Sequence, residues 1–211
     1  MAATKSQQTQ LLVSTADGSS KTISGATAAN PVVVTSTSHG LANGSVVFIT
    51  GVVGMTQLNN RAYVIANQAT NTFELKGVDG TVYSAYTSGG AALPKTMTAV
   101  GAVTNFTGFD GQAAEIDATD LRSVAKEKLV GIPDYGGCTM TVNNVTDTGQ
   151  SRLQTAYEQQ ISVVFEIILS DLRSGAWPAY VQQFTLDVGG PDDKVTGSVR
   201  QLIAAAPQRV S

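Results

Sequence analysis

The chain has 211 residues, of which 42% are hydrophobic, 6% aromatic and 14% charged, with 21 glycines and a net charge of −3. A charged fraction so far below the roughly 25% of an ordinary soluble domain, filled in by Ser, Thr and Gly, points to strands and turns under a polar but weakly charged surface. One cysteine, Cys138, and one histidine, His39, leave disulfides, multi-cysteine zinc sites and most catalytic constellations without a second member.

The N-terminal MAATKSQQTQ lacks the positive-then-apolar layout of a secretory signal. No run of about 18 apolar residues suggests a transmembrane helix. Residues 7–13 read as a first strand, and Lys21–Thr27 as a second within a Ser/Thr/Gly-rich stretch. Five short β-prone runs follow at Pro31–Ser36, Ser45–Thr50, Arg61–Ala66, Thr72–Lys76 and Val82–Tyr86. Turn signals separate them, among them Asn43-Gly44, Asn59-Asn60 and Asp79-Gly80. This texture predicts an inserted small β-barrel over 31–90, with 1–30 and 91–211 as the flanking parts of a larger β core.

Beyond the insert, Thr96–Phe109 and Ala113–Asp117 alternate as strands around the turn Asp110-Gly111, whereas Ser123–Val130 fits strand or helix equally. Cys138, Met140 and Val142 alternate with Thr139, Thr141 and Asn143, a half-buried strand. Asp147 with Gln150 three residues on predicts a helix start, and Leu153, Ala156 and Tyr157 continue it over Gly149–Gln160. The apolar run Ile161–Leu169 predicts a central strand. Asp171–Trp177 reads as a loop, with Trp177 either a plug for the core or a subunit contact. Pro178–Val188, with Tyr180, Gln182, Phe184, Leu186 and Val188 on one face, turns at Gly189–Asp193 into Lys194–Ala204 as a hairpin.

Charge is uneven. Asp110, Glu115, Asp117, Asp120, Glu127 and Asp134 crowd one stretch against Arg122, Lys126 and Lys128. They read either as a solvated face or as a surface that keeps a polyanion from sticking. His39 sits in a turn with no acid or thiol nearby, Cys138 lies on the apolar side of its strand, and the Asp-rich stretch lacks calcium-loop spacing. No catalytic, cofactor or metal residue is expected, and the chain is not expected to be an enzyme.

The stretch Gly108-Phe109-Asp110-Gly111, Glu115–Leu121, Ser123, Lys126-Glu127, Gly131 and Asp134–Gly137 resembles the major tail tube protein of long-tailed, non-contractile phages, as do Gln150–Tyr157, Ser162–Leu169, Trp177–Val181 and Asp192–Val195. His39–Leu41, Asn43-Gly44, Gly51-Val52, Gly54-Met55, Leu58-Asn59, Tyr63 and Asn71–Leu75 resemble a small β-barrel insert of phage structural proteins, itself similar to a subdomain of ubiquitin-activating enzymes. The first resemblance implies a mainly β sandwich or barrel with one short α-helix. It implies hexameric rings stacked into a tail tube in the virion, made in the host cytoplasm. Its partners would be further copies of itself, a tape measure protein and tail terminator and tip proteins, with DNA passing through the lumen unbound. Under that reading Gln112, Glu115, Asp117, Thr119, Asp120, Lys126, Glu127, Asp134, Thr196, Ser198 and Arg200 would be interface or lumen residues. The N-terminal tail 1–8 and the loop 122–135 would join ring to ring. The competing reading is a surface-binding module, an adhesin or carbohydrate reader, with Tyr63, Tyr83 and Tyr86 as its candidate aromatics.

Overall fold

The computed structural model describes residues 5–211, and the first four residues of the expected tail contact lie outside them. The fold is mainly β, with 47% strand and 7% helix. The strands are β1 Gln10–Asp17, β2 Lys21–Thr22, β3 Gly25–Ala26, β4 Val33–Thr35, β5 Val46–Val53, β6 Arg61–Ala66, β7 Thr72–Leu75, β8 Ser88–Ala99, β9 Val103–Gly108, β10 Ala113–Asp117, β11 Lys128–Pro133, β12 Gly137–Asn143, β13 Ser162–Ile168, β14 Ser174–Asp187 and β15 Thr196–Ile203. The α-helix α1 spans Thr148–Gln159, and a short 3-10 turn spans Thr56–Leu58.

Thirteen strands form one sheet in the order β3-β4-β7-β6-β5-β8-β1-β13-β14-β15-β12-β9, with β2 beside β8, while β10 and β11 stand apart as a two-stranded pair. The long β8 runs through both parts. Its first half pairs with β5 and its second with β1, so the barrel grows out of the core sheet without a break. The barrel closes over Ile23, Val34, Ile49, Leu58, Tyr63, Phe73 and Leu75. The core sheet curls over Val13, Met140, Leu153, Phe165, Trp177 and Val199. A third cluster, Val46, Ala62, Val64, Val164 and Ala176, seals the joint between them.

Because β13 is covered on both faces, Phe165 toward the core and Val164 toward the joint, its sequence is an almost unbroken apolar run. The α1 start is built as its residues predict. Asp147 is extended and accepts from the Gln150 backbone N–H at 3.2 Å and from Gly101 N–H at 2.9 Å. It therefore caps the helix and ties it to the β8–β9 turn. Asp147→Ala should lose about 1–2 kcal/mol in chemical denaturation; a loss below about 0.5 kcal/mol would mean that water replaces the cap.

Several expected boundaries move. Val82–Tyr86 is not a strand: a turn there, with Tyr83 N–H on Gly80 O, lets two rings at odd spacing both lie on the barrel core. Thr96–Phe109 is broken at Gly101-Ala102, where Ala102 has φ 54. Residues 123–127 are loop before β11. β14 starts at Ser174, so Trp177 lies inside a strand and fully buried. Gln182 is a bulge, since Val181 pairs with Gln201 and Gln183 with Arg200. It breaks the single face expected for Tyr180 to Val188: Tyr180 stays exposed while Phe184 packs on the core.

Candidate functional site

The lone histidine and the lone cysteine are used structurally. His39 is 1% exposed, its Nδ1 accepts from Leu41 N–H at 3.0 Å, and its ring meets Phe73 edge-on. Burial pushes the Cys138 thiol up to about 11, far from a ready thiolate. Among the described residues, no group of three or more His, Cys, Asp or Glu is placed to hold a metal, and no helix is long and apolar enough to cross a membrane. Of the candidate sugar-reading rings, Tyr63 is buried with its hydroxyl on Leu58 O, and Tyr86 donates to Ile23 O and Gly89 O.

Two surfaces remain. The first is the arm formed by β10, β11 and the loop between them. Its tip is well knit: Ala118 N–H donates to Glu127 O, Glu127 N–H to Thr119 Oγ1, and Thr119 N–H to Asp117 Oδ1. Those Thr119 hydrogen bonds hold the exposed Asp117 carboxyl below its usual range. Glu115 pairs with Lys128. At the base Gly137 N–H donates to Asp110 Oδ1 at 2.6 Å, and Asp134 N–H to Gln112 O. Yet the arm buries almost nothing. Ile116 and Leu129 face each other across the pair at 50% and 59% exposure, and Val130, Ile132, Leu121 and Val124 are more exposed still. A lone two-stranded hairpin is marginal in water, and this one presents apolar side chains on both faces.

The second surface is the outer face of β9, β12, β15 and β14. Their register aligns Asn105, Thr141, Ser198 and Thr185 in one row, and Thr107, Thr139, Arg200 and Gln183 in the next. Asn143, Thr196 and Asp187 begin a third. The same strands turn Met140, Val142 and Val199 into the core, so the alternation of the sequence is the two faces of one curved sheet. Hydroxyls and amides dominate the rows. In the first two, Arg200 is the one ionised side chain, and it is held by Gln182 Oε1 at 3.1 Å and by Asp110 at 3.8 Å.

The expected residues therefore fall in two places. Gln112, Glu115, Asp117, Thr119, Asp120, Lys126, Glu127 and Asp134 are on the arm, whereas Thr196, Ser198 and Arg200 are on the polar face. The Asp110–Arg200 pair links the two. Asn105, Thr107, Thr139, Thr141, Gln183 and Thr185 complete the rows and were not singled out from sequence. Their signal is the Thr/Asn alternation opposite Cys138, Met140 and Val142.

Among known families, the model of the ubiquitin-activating enzyme E1 FCCH domain matches residues 29–94, from the start of the barrel into β8. No curated protein matches the chain. This finding corrects the resemblance drawn from the sequence. The family similarity lies in the barrel and is to the FCCH domain, not to a phage tail tube family. The turns and strand apolars of 96–211 that suggested tail tubes are features that any curled antiparallel sheet with a hairpin would share. The match covers 29–94 alone and carries no activity to this chain.

Proposed function

We propose that this chain is a structural protein that assembles with copies of itself into closed rings, which stack as a conduit for a polyanion such as virion DNA. The observation that carries the proposal is the arm: an ordered hairpin with Ile116, Leu129, Val130 and Ile132 exposed needs a second surface to cover it. A second copy supplies one without any other partner, and closed symmetry satisfies every arm at once. The open edge of β9 at the end of the thirteen-strand sheet adds a main-chain template for the same association.

The polar rows suit the inside of such a ring. Thr, Ser, Asn and Gln offer a DNA backbone water-like contacts that are easily exchanged, whereas a lining of Lys and Arg would release counterions and trap it. Arg200, the cation in those rows, is already shared with Gln182 and Asp110.

Negative-stain electron microscopy and light scattering of the purified chain across a concentration series test the proposal. Hollow rings or tubes with a bore wide enough for duplex DNA are expected. A compact monomer at every concentration would overturn it.

A further inference from the structure

The joint between barrel and core is mostly apolar but holds one buried carboxyl, that of Glu166. Glu166 shares a face of β13 with Val164, which packs against Val46, Ala62 and Val64 of the barrel. It is 3% exposed and lines a cleft of about 370 Å³ with Leu12, Ser45, Val46, Pro94, Lys95 and Met97. Its carboxyl opens on that cleft, with Lys76 the opposing charge that acts on it.

Few charges surround it. Lys76, just past β7, donates to Leu172 O at 3.0 Å and Ser174 Oγ at 3.2 Å. Lys95 on β8 is paired with Asp17 of β1 at 2.6 Å and lies over the Phe48 ring. Arg61 on β6 is turned to Ala206 O and the Tyr63 ring, and Asp187 lies at the far end of β14. β5 carries no ionisable residue, and β13 none besides Glu166.

A strap closes the same joint. Gln208, from the segment after β15, is 4% exposed. Its Oε1 accepts from Val64 N–H at 2.7 Å and its Nε2 donates to Lys76 O at 2.6 Å, while its backbone N–H bonds Ala176 O. Gln208 thus bridges the two halves, its side chain on the barrel and its backbone on Ala176 of the core, the strand partner of Glu166.

We propose that this joint is a pH-sensitive clamp: protonated Glu166 lets the barrel seat on the core, and ionised Glu166 draws water into the cleft and loosens the seat and its strap. The carboxyl is poised for this role, because burial raises it to about 7 against the partial opposition of Lys76. The direction follows from linkage. A carboxyl raised in the folded state stabilises most below its ordinary value of 4.5, and that stability is lost as pH rises through about 7.

The test is amide hydrogen exchange at Val64, Lys76 and Gln208 at about pH 5.5 and about pH 8.5, corrected for intrinsic rates, in wild type and in Glu166→Gln. Protection in the wild type should fall by about tenfold or more at the higher pH, and Glu166→Gln should show no such fall. Equal wild-type protection at both values, or the same fall in Glu166→Gln, would overturn the proposal. Carbon-13 NMR of the Glu166 carboxyl in the unmutated protein gives an independent reading. A midpoint near 7 supports the clamp, and one at an ordinary carboxylate value rejects it whether or not the variant folds.

Discussion

Ile116→Asp combined with Leu129→Asp should leave a folded protein that no longer assembles. The two side chains oppose each other on one face of the arm and touch no part of either core. Their loss should change stability by no more than about 0.5 kcal/mol, as for other exposed substitutions. In an assembly each would be covered, and burying a Leu or Ile side chain contributes about 1.5–3 kcal/mol. Losing both at every contact weakens each association by about 3–6 kcal/mol, a factor of about 10² to 10⁴ in affinity. Light scattering and thermal melting of the same sample separate the two effects. Assembly that persists unchanged would show that the arm is not the contact. A melting temperature that drops with the double substitution would show instead that the arm belongs to the monomer's own fold.

The arm was hard to read in sequence for the reason that makes it interesting. A strand announces itself by burying one face, and β11 buries neither, so Lys128 and Leu129 fit no period, while Val124 lies in the loop before it. β13 lies at the other extreme: covered on both sides, it is legible as a plain apolar run, with Glu166 the one residue out of pattern. α1 was legible because its cap is local chemistry between Asp147 and Gln150. Trp177 was obscured by Gly175 and Pro178, which signal a loop. Pro178 is tolerated because its carbonyl side faces Ala204, just past the end of β15, where no ladder partner is missed. The polar rows were half legible. The alternation of β12 is plain, but β9, β12, β15 and β14 are neighbours only after the sheet has been ordered out of chain sequence.

Trp177→Ala should be the most damaging single change in the core, at about 3–5 kcal/mol. The indole is fully buried and stacks on Phe165 at 6.1 Å, with Phe106 at 6.1 Å and Phe109 edge-on at 5.0 Å. Its Nε1–H donates to Gln201 Oε1 at 3.2 Å, and among the described residues Gln201 Nε2 has no partner of its own. Removing the indole therefore leaves a fully buried amide with nothing to bind, which adds to the cavity. Trp177→Phe keeps a ring in place and loses mainly the hydrogen bond, so it should cost about 1–2 kcal/mol. Urea denaturation should show the midpoint falling in that order with an unchanged slope. The same ring supports the arm. Phe109, at φ 61, is where the chain leaves β9 for the arm, and that left-handed turn in a bulky residue is held by its contact with Trp177. Trp177→Ala should thus raise hydrogen exchange at Gly137, whose amide bonds Asp110 at the arm's base, before the rest of β12 responds. A loss under about 1 kcal/mol, or an arm base as protected as before, would show that the aromatic cluster neither anchors the core nor aims the arm.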